Sequence, residues 1–215
     1  MKTKIKICGL SSIENIEFAS KLGALWYGLV FFKKSPRNVT INKAKTLIKK
    51  SPKEIIPVAI VVDPEIDFIE KLINIGIQTI QLHGKESPSF CKKLKDNYKL
   101  KVIKAISVKN SLDVLDSKKY ENIVDWILFD NKSNDLPGGS GITFDWSYLK
   151  EKKLDCNWIL SGGLNNKNVI EALKETNALA LDVSSGIEVE AGIKSNTLIE
   201  NFINSVKIYE EKKLA

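Results

Sequence analysis

Pro57-Val58-Ala59-Ile60-Val61-Val62 is a run of six apolar residues, four of them β-branched. A strand that is apolar at every position is buried on both faces, the condition of a parallel sheet covered by helices. The run stops at Asp63-Pro64, a pair suited to opening a helix, and residues 65–75 then place apolar side chains at helical spacing. One strand followed by one helix is the unit from which the rest of the chain can be read.

Outward from this unit, strand-like segments at 4–8, 25–31, 55–62, 79–82, 101–106, 126–129, 158–160 and 178–183 alternate with helix-like ones. The helical segments are 12–22, 41–50, 65–75, 88–97, 111–120, 145–150, 166–175 and 196–209. Thr40, Asp63-Pro64, Ser87-Pro88 and Asp145 are candidate caps. Eight such units in 215 residues predict an α/β fold, a single (β/α)8 TIM barrel over residues 1–215 forming one catalytic domain. An open doubly wound sheet would need fewer strands, and no GxGxxG turn follows the first one.

The net charge of +7 raises the question of nucleic acid. The lysines are spread over most predicted helices beside glutamates and asparagines, the pattern of solvated helix faces, so no nucleic-acid partner is expected. No stretch approaches the roughly 20 apolar residues that span a bilayer. The N-terminus alternates polar and apolar residues from Met1 to Ile7, unlike a signal peptide. A cytoplasmic protein without membrane contact is expected. Cys8, Cys91 and Cys156 form no CxxC pair, and with one histidine in the chain no metal site is expected. The thiols fit a reducing compartment.

In a barrel of this kind chemistry sits where strands end. Strand 1 ends at Cys8-Gly9: a small buried hydrophobe, or a thiol able to act as base once a nearby cation lowers its pKa. After strand 2, Arg37 follows Ser35-Pro36 in a stiffened loop, which suits a bidentate fork aimed at a carboxylate; Lys33 and Lys34 read as solvated. Strand 4 ends at Gln81-Leu82-His83-Gly84, where the histidine is either a base or a hydrogen-bonded rim residue. Asp130 emerges from the apolar run of strand 6, where desolvation would raise its pKa toward that of a general acid; capping a loop is the alternative. The glycine-rich Gly138-Gly139-Ser140-Gly141 follows, long enough to close over a ligand, with Thr143 or Asp145 capping the next helix. Ser161-Gly162-Gly163-Leu164 and Asp182-Val183-Ser184-Ser185-Gly186 end strands 7 and 8. Each alone is an ordinary turn, but together they occupy the two places where this barrel cradles phosphate. A phosphorylated small-molecule substrate is expected.

Taken in order, these segments resemble phosphoribosylanthranilate isomerase of tryptophan biosynthesis. The stretches that carry the resemblance are Lys6-Ile7-Cys8-Gly9, Ser35-Pro36-Arg37, Val61-Val62-Asp63, Gln81-Leu82-His83-Gly84, Gly138-Gly139-Ser140-Gly141 with Phe144-Asp145-Trp146, Leu160-Ser161-Gly162-Gly163-Leu164 and Asp182-Val183-Ser184-Ser185-Gly186-Ile187-Glu188. They span nearly the whole chain, and the resemblance implies a barrel of the ribulose-phosphate-binding type.

By the resemblance, Cys8 falls on the general base and Asp130 on the general acid of an Amadori rearrangement. Arg37 falls on the residue holding the anthranilate moiety, and Asp182 lies close to the substrate. Gly162, Gly163, Ser184, Ser185 and Gly186 fall on the phosphate site, and His83 matches a substrate-side motif position. No cofactor is implied, because the iminium formed on ring opening is its own electron sink. A monomer is expected. Trp26 and Tyr27 before Gly28, Asn131-Lys132-Ser133-Asn134, and Ser195 in place of an aspartate depart from the pattern, and Ser195 can still cap a helix.

Three rivals remain. Indole-glycerol-phosphate synthase would call for a lysine acid with glutamate partners, and a histidine-pathway isomerase for paired aspartates without Cys8. A noncatalytic phosphate-binding barrel would bind without turnover.

Overall fold

Eight parallel strands close into a barrel in chain order: β1 (Lys4–Cys8), β2 (Trp26–Val30), β3 (Ile56–Val61), β4 (Thr79–Leu82), β5 (Lys101–Val108), β6 (Trp126–Asn131), β7 (Trp158–Leu160) and β8 (Ala180–Val183). The structure is a computed structural model that describes residues 2–131, 143–150 and 154–214. Between the strands run α1 (Ile13–Lys21), α2 (Ile41–Lys50), α3 (Ile66–Asn74), α4 (Pro88–Tyr98), α5 (Ser111–Asp116), α6 (Ser147–Lys150) and α7 (Val169–Thr176), with α8 (Asn196–Leu214) last. This is the predicted (β/α)8 fold. None of the described helices is long and apolar enough to cross a membrane.

Period-two alternation along the strands explains the architecture. Ile5 and Ile7 of β1, Tyr27 and Leu29 of β2, Ala59 and Val61 of β3 all join the core between barrel and helices. The opposite set fills the interior. At its N-terminal end Trp26, Val58, Ile103, Leu128, Ile159 and Ala180 form a separate apolar layer. Trp26 meets Trp126 edge-on there, 5.3 Å between ring centroids, so the bulky residue ahead of Gly28 serves as part of the barrel's floor. Tyr27 points the other way and its hydroxyl pairs with Ser51 Oγ at 2.8 Å.

Local signals account for most helix starts. Thr40, Ser87 and Asn110 accept backbone N–H bonds at the openings of α2, α4 and α5, and Ser195 Oγ accepts from Leu198 N at 3.3 Å in the first turn of α8. Asp145 Oδ1 accepts from Ser147 N at the start of α6. Asp63 is a correction. It adopts a left-handed φ of +44°, accepts from Lys85 N at 2.6 Å, and leaves α3 to begin after Glu65 without a side-chain cap. The predicted 111–120 helix tightens into a 3₁₀ turn at Ser117–Tyr120, where Ser117 Oγ donates to the Val114 carbonyl.

One element lies outside the eightfold pattern and was not expected: a hairpin of β9 (Glu188–Glu190) and β10 (Ile193–Lys194) between β8 and α8.

Candidate active site

The inward parity that builds the floor delivers the rim. Cys8, Val30, Ile60, Val62, Gln81, His83, Asp130, Ser161, Asp182 and Ser184 surround a mouth of about 600 Å³ of free space open to solvent, with Arg37 at its edge. On β2, β3, β6, β7 and β8 these positions have the same parity as the floor residue below them. The sequence-predicted Cys8, Arg37, His83, Asp130 and Asp182 are therefore brought together around one opening, with Ser184. Gly138–Gly141 lies outside the described residues.

Cys8 is seated by two glycines. A Cβ on Gly28 would come within 3.1 Å of Cys8 Sγ and 2.8 Å of Ile60 Cδ1, so only a bare backbone leaves room for the thiol. Gly9, at φ +77°, turns the chain sharply away, and a Cβ there would strike Arg37 Cδ at 2.7 Å. The expected lowering of the thiol pKa by a nearby cation is corrected. Burial pushes the Cys8 thiol up; Lys6 and Lys194 pull it down, Asp182 pushes it further up, and the upward pressures win.

Beneath Cys8, on the same face of β1, lies a residue the sequence reading passed over. Lys6 is fully buried and its Nζ donates to Asp182 Oδ1 at 2.9 Å. The two are register partners across the β1–β8 seam, and Ser161 Oγ stands 3.5 Å from the other oxygen of Asp182. Parity was the available signal, since Lys6 is two residues from Cys8 on a strand.

Asp130 is buried at the end of β6, with Oδ1 accepting from Asn131 N at 2.9 Å. Its Oδ2 is 3.3 Å from His83 Nε2, close but not aligned as a hydrogen bond. His83 Nδ1 pairs with Gln81 Nε2 at 3.0 Å. Among the described residues, His83 Nε2 and Gln81 Oε1 are buried polar atoms without a hydrogen-bond partner, and both residues line the mouth. Such atoms are what a polar ligand satisfies.

The end of β4 is pinned from outside the barrel. Lys104 Nζ, buried, donates to the carbonyls of Leu82, Gly84 and Ala105 and to Glu86 Oε2 at 2.8–3.2 Å. Glu86 accepts from the N–H groups of Asp63 and Gly84. This clamp fixes the turn that carries His83.

Arg37 forms the bidentate fork its setting suggested, but with the chain's own Glu188: Nε and Nη2 each donate at 2.7 Å. The loops after β7 and β8 interlock, Asn165 bridging to Gly186. Gly162 and Gly163 both take positive φ, and Ser184 Oγ donates to the Cys8 carbonyl at 3.2 Å. Ser184 thus adjoins the backbone of Cys8 and Gly162 packs against Asp130 and Asn131, while Gly162, Gly163, Ser185 and Gly186 are not among the residues lining the mouth.

The family model described as N-(5'phosphoribosyl)anthranilate (PRA) isomerase matches residues 5–205. A Rhizobium etli protein named N-(5'-phosphoribosyl)anthranilate isomerase is 41% identical over 219 residues, covering 100% of this chain and 99% of that one. The crystal structure of phosphoribosyl anthranilate isomerase from Thermotoga maritima superposes with a TM-score of 0.87 at 32% identity, covering 95% of this chain and 98% of that chain. A structure of phosphoribosyl anthranilate isomerase in complex with reduced 1-(o-carboxyphenylamino)-1-deoxyribulose 5-phosphate matches with a TM-score of 0.84 at 30% identity, over 95% of this chain and 98% of that one.

Proposed function

The chain belongs to the N-(5'-phosphoribosyl)anthranilate isomerase family, and on that premise we propose that Asp130 and Cys8 catalyse the family's rearrangement as acid and base. The enzyme is an isomerase of tryptophan biosynthesis, and the substrate is N-(5-phosphoribosyl)anthranilate. The observation that carries the assignment is that Cys8 and Asp130, remote in sequence, line one mouth together with Arg37 and Ser184.

The reaction sets three demands. The Asp130 carboxyl, acting as the acid, donates a proton to the ring oxygen as the C1–O bond breaks, while the anilino nitrogen lone pair forms a C1=N iminium. The iminium acidifies the proton on C2, which the Cys8 thiolate removes; the C–H electron pair becomes the C1–C2 double bond as the C1=N π pair returns to nitrogen, giving a neutral enolamine. Tautomerisation of the enolamine then gives the 2-ketose. Burial keeps the Cys8 thiol high. That leaves fewer thiolates at neutral pH, but each is a stronger base, and the adjacent iminium cation favours its formation.

The two ends of the substrate are anions. Arg37 takes the anthranilate carboxylate. Gly162, Gly163, Ser184, Ser185 and Gly186 take the phosphate. Asp182 lies under the sugar with Lys6, and His83 with its unpartnered Nε2 faces the ring and its hydroxyls. All these groups come from one chain, so we propose that the monomer is competent. The decisive experiment follows the fluorescence of the anthranilate substrate during turnover, with Cys8→Ser as control. Binding without turnover in the parent protein would refute the assignment and leave a phosphate-binding barrel.

A further inference from the structure

The β9–β10 hairpin is not explained by the barrel. It is short, and Val189, Glu190 and Ile193 are exposed. What it does bury is a pair of charges: Glu188 and Lys194 are register partners, with Lys194 Nζ 2.6 Å from Glu188 Oε1. Lys194 also donates to the Ser184 carbonyl at 2.9 Å and to Ser184 Oγ at 3.2 Å. Glu188 in turn holds Arg37. An unbroken chain of polar contacts therefore runs from Arg37 through Glu188 and Lys194 to Ser184.

The manner in which Glu188 holds Arg37 matters. A guanidinium carries five N–H donors in one rigid plane. Glu188 takes the donors of Nε and one of Nη2, the side-on edge. Three donors remain, two of which form the end-on edge between Nη1 and Nη2, itself a bidentate site for a carboxylate. Among the described residues no acceptor is bonded to Nη1. The arginine is braced elsewhere too. Its stem lies against Gly9, and the carbonyl of Pro36 lies against Gly192 in the hairpin turn, where φ is +87° and a Cβ would sit 2.8 Å away.

We propose that Glu188 is a positioning residue for substrate specificity. By filling one edge of Arg37 it presents the other edge to an aryl carboxylate, and through Lys194 it fixes that edge at a set distance from the Ser184 loop. The inference rests on the reading of Arg37 as the carboxylate clamp. The alternative, Glu188 as a competitor that the substrate must displace, sits poorly with the geometry, because the end-on edge carries no hydrogen bond at Nη1 among the described residues. The charges agree as well: Arg37 and Lys194 against Glu188 leave one net positive charge for the incoming anion.

The test measures KM, kcat and competitive inhibition by 2-aminobenzoate and by inorganic phosphate in Glu188→Gln and Glu188→Asp. Gln keeps the length but turns an amide NH2 toward a cation. Asp keeps the charge but is too short to reach both Arg37 and Lys194. Both variants are expected to raise KM and the 2-aminobenzoate inhibition constant about tenfold, with kcat and phosphate inhibition changed by about threefold or less. Retained phosphate inhibition shows in the same protein that the barrel is folded. An unchanged or lowered KM in both variants overturns the proposal. Arg37→Ala separates the two levels. If 2-aminobenzoate inhibition survives in Arg37→Ala, the clamp reading itself falls. If inhibition is lost there but intact in both Glu188 variants, only the positioning role falls.

Discussion

Lys6 Nζ and Asp182 Oδ1 lie 2.9 Å apart on the seam where β1 and β8 close the barrel, their side chains 0% and 4% exposed. Burial draws Lys6 downward, yet Asp182 and Cys8 more than reverse this and leave its pKa raised; burial pushes Asp182 up against the pull of Lys6. Each charge is tolerable only beside the other, and the pair lies directly under the candidate base.

Breaking this pair on one side should therefore cost more than replacing it whole. Lys6→Met or Asp182→Leu alone is expected to lose about 3–5 kcal/mol, because an uncompensated charge stays buried, while the double variant regains most of it. Urea denaturation measures all three. Additive losses in the double variant would refute the coupling.

Cys8 should behave as a reluctant thiol in the free enzyme. Burial, against the opposing pull of Lys6, holds its pKa above the ordinary cysteine value. Alkylation by iodoacetamide, located by mass spectrometry, is expected to be slow near neutrality and to climb through the alkaline range; kcat/KM should rise over the same limb. Fast alkylation at pH 6 would contradict the burial argument.

Cys8→Ser and Asp130→Asn should each lower kcat by about 10²–10⁴-fold while KM moves little, the signature of groups that transfer protons in the transition state. Steady-state kinetics with the fluorescent substrate decides. Near-parental kcat in either variant removes that residue from its role.

Gly9→Ala tests the approach of Arg37 to β1. The new Cβ would lie 2.7 Å from Arg37 Cδ on a backbone at φ +77°, so the arginine has to move. The strain is on the order of 1–3 kcal/mol, and the expected kinetic outcome is a raised KM with a smaller change in kcat. A KM unchanged in a folded variant would show that the loop absorbs the methyl without disturbing the clamp.

Alkaline pH should destabilise the fold through a cysteine far from the mouth. Burial pushes Cys91 up to about 11 from an ordinary 9.0, so between those values the folded chain keeps a proton that the unfolded chain releases. The stabilisation is complete below the lower value and is lost as pH rises through the upper one. Thermal melting at pH 8 and pH 10.5 should show a fall in Tm that Cys91→Ala reduces; an equal fall in the variant would locate the effect elsewhere.

The barrel was legible because strands such as Pro57–Val62 are apolar throughout and helix openings such as Thr40 and Ser87 carry their own signals. The placement of Cys8 and Asp130 at one mouth was legible because both end strands, and strand ends share a rim in this fold. Lys6, Lys104 and Lys194 were not. Most lysines elsewhere are exposed on helices and loops, and composition does not distinguish a cation paired inside the fold from one in water. All three lie on strands, where position relative to a neighbour such as Cys8 carries the information that residue type lacks. The hairpin at Glu188–Lys194 was missed for a related reason: its exposed Val189 and Ile193 and its charges make no apolar pattern, and its basis is an ion pair of Glu188 with the distant Arg37 and hydrogen bonds from Lys194 to Ser184.

Because the first strand hydrogen-bonds to the eighth, Lys6 emerges from the ribosome long before Asp182 exists. At elongation rates of about 5–20 residues per second, the 176 positions between them amount to roughly 9 to 35 seconds of synthesis. Throughout that interval a nascent chain holds a lysine with no counter-ion and a thiol with no pocket. Burial of Lys6 is thereby tied to completion: until the last strand is made, the barrel cannot close around the pair.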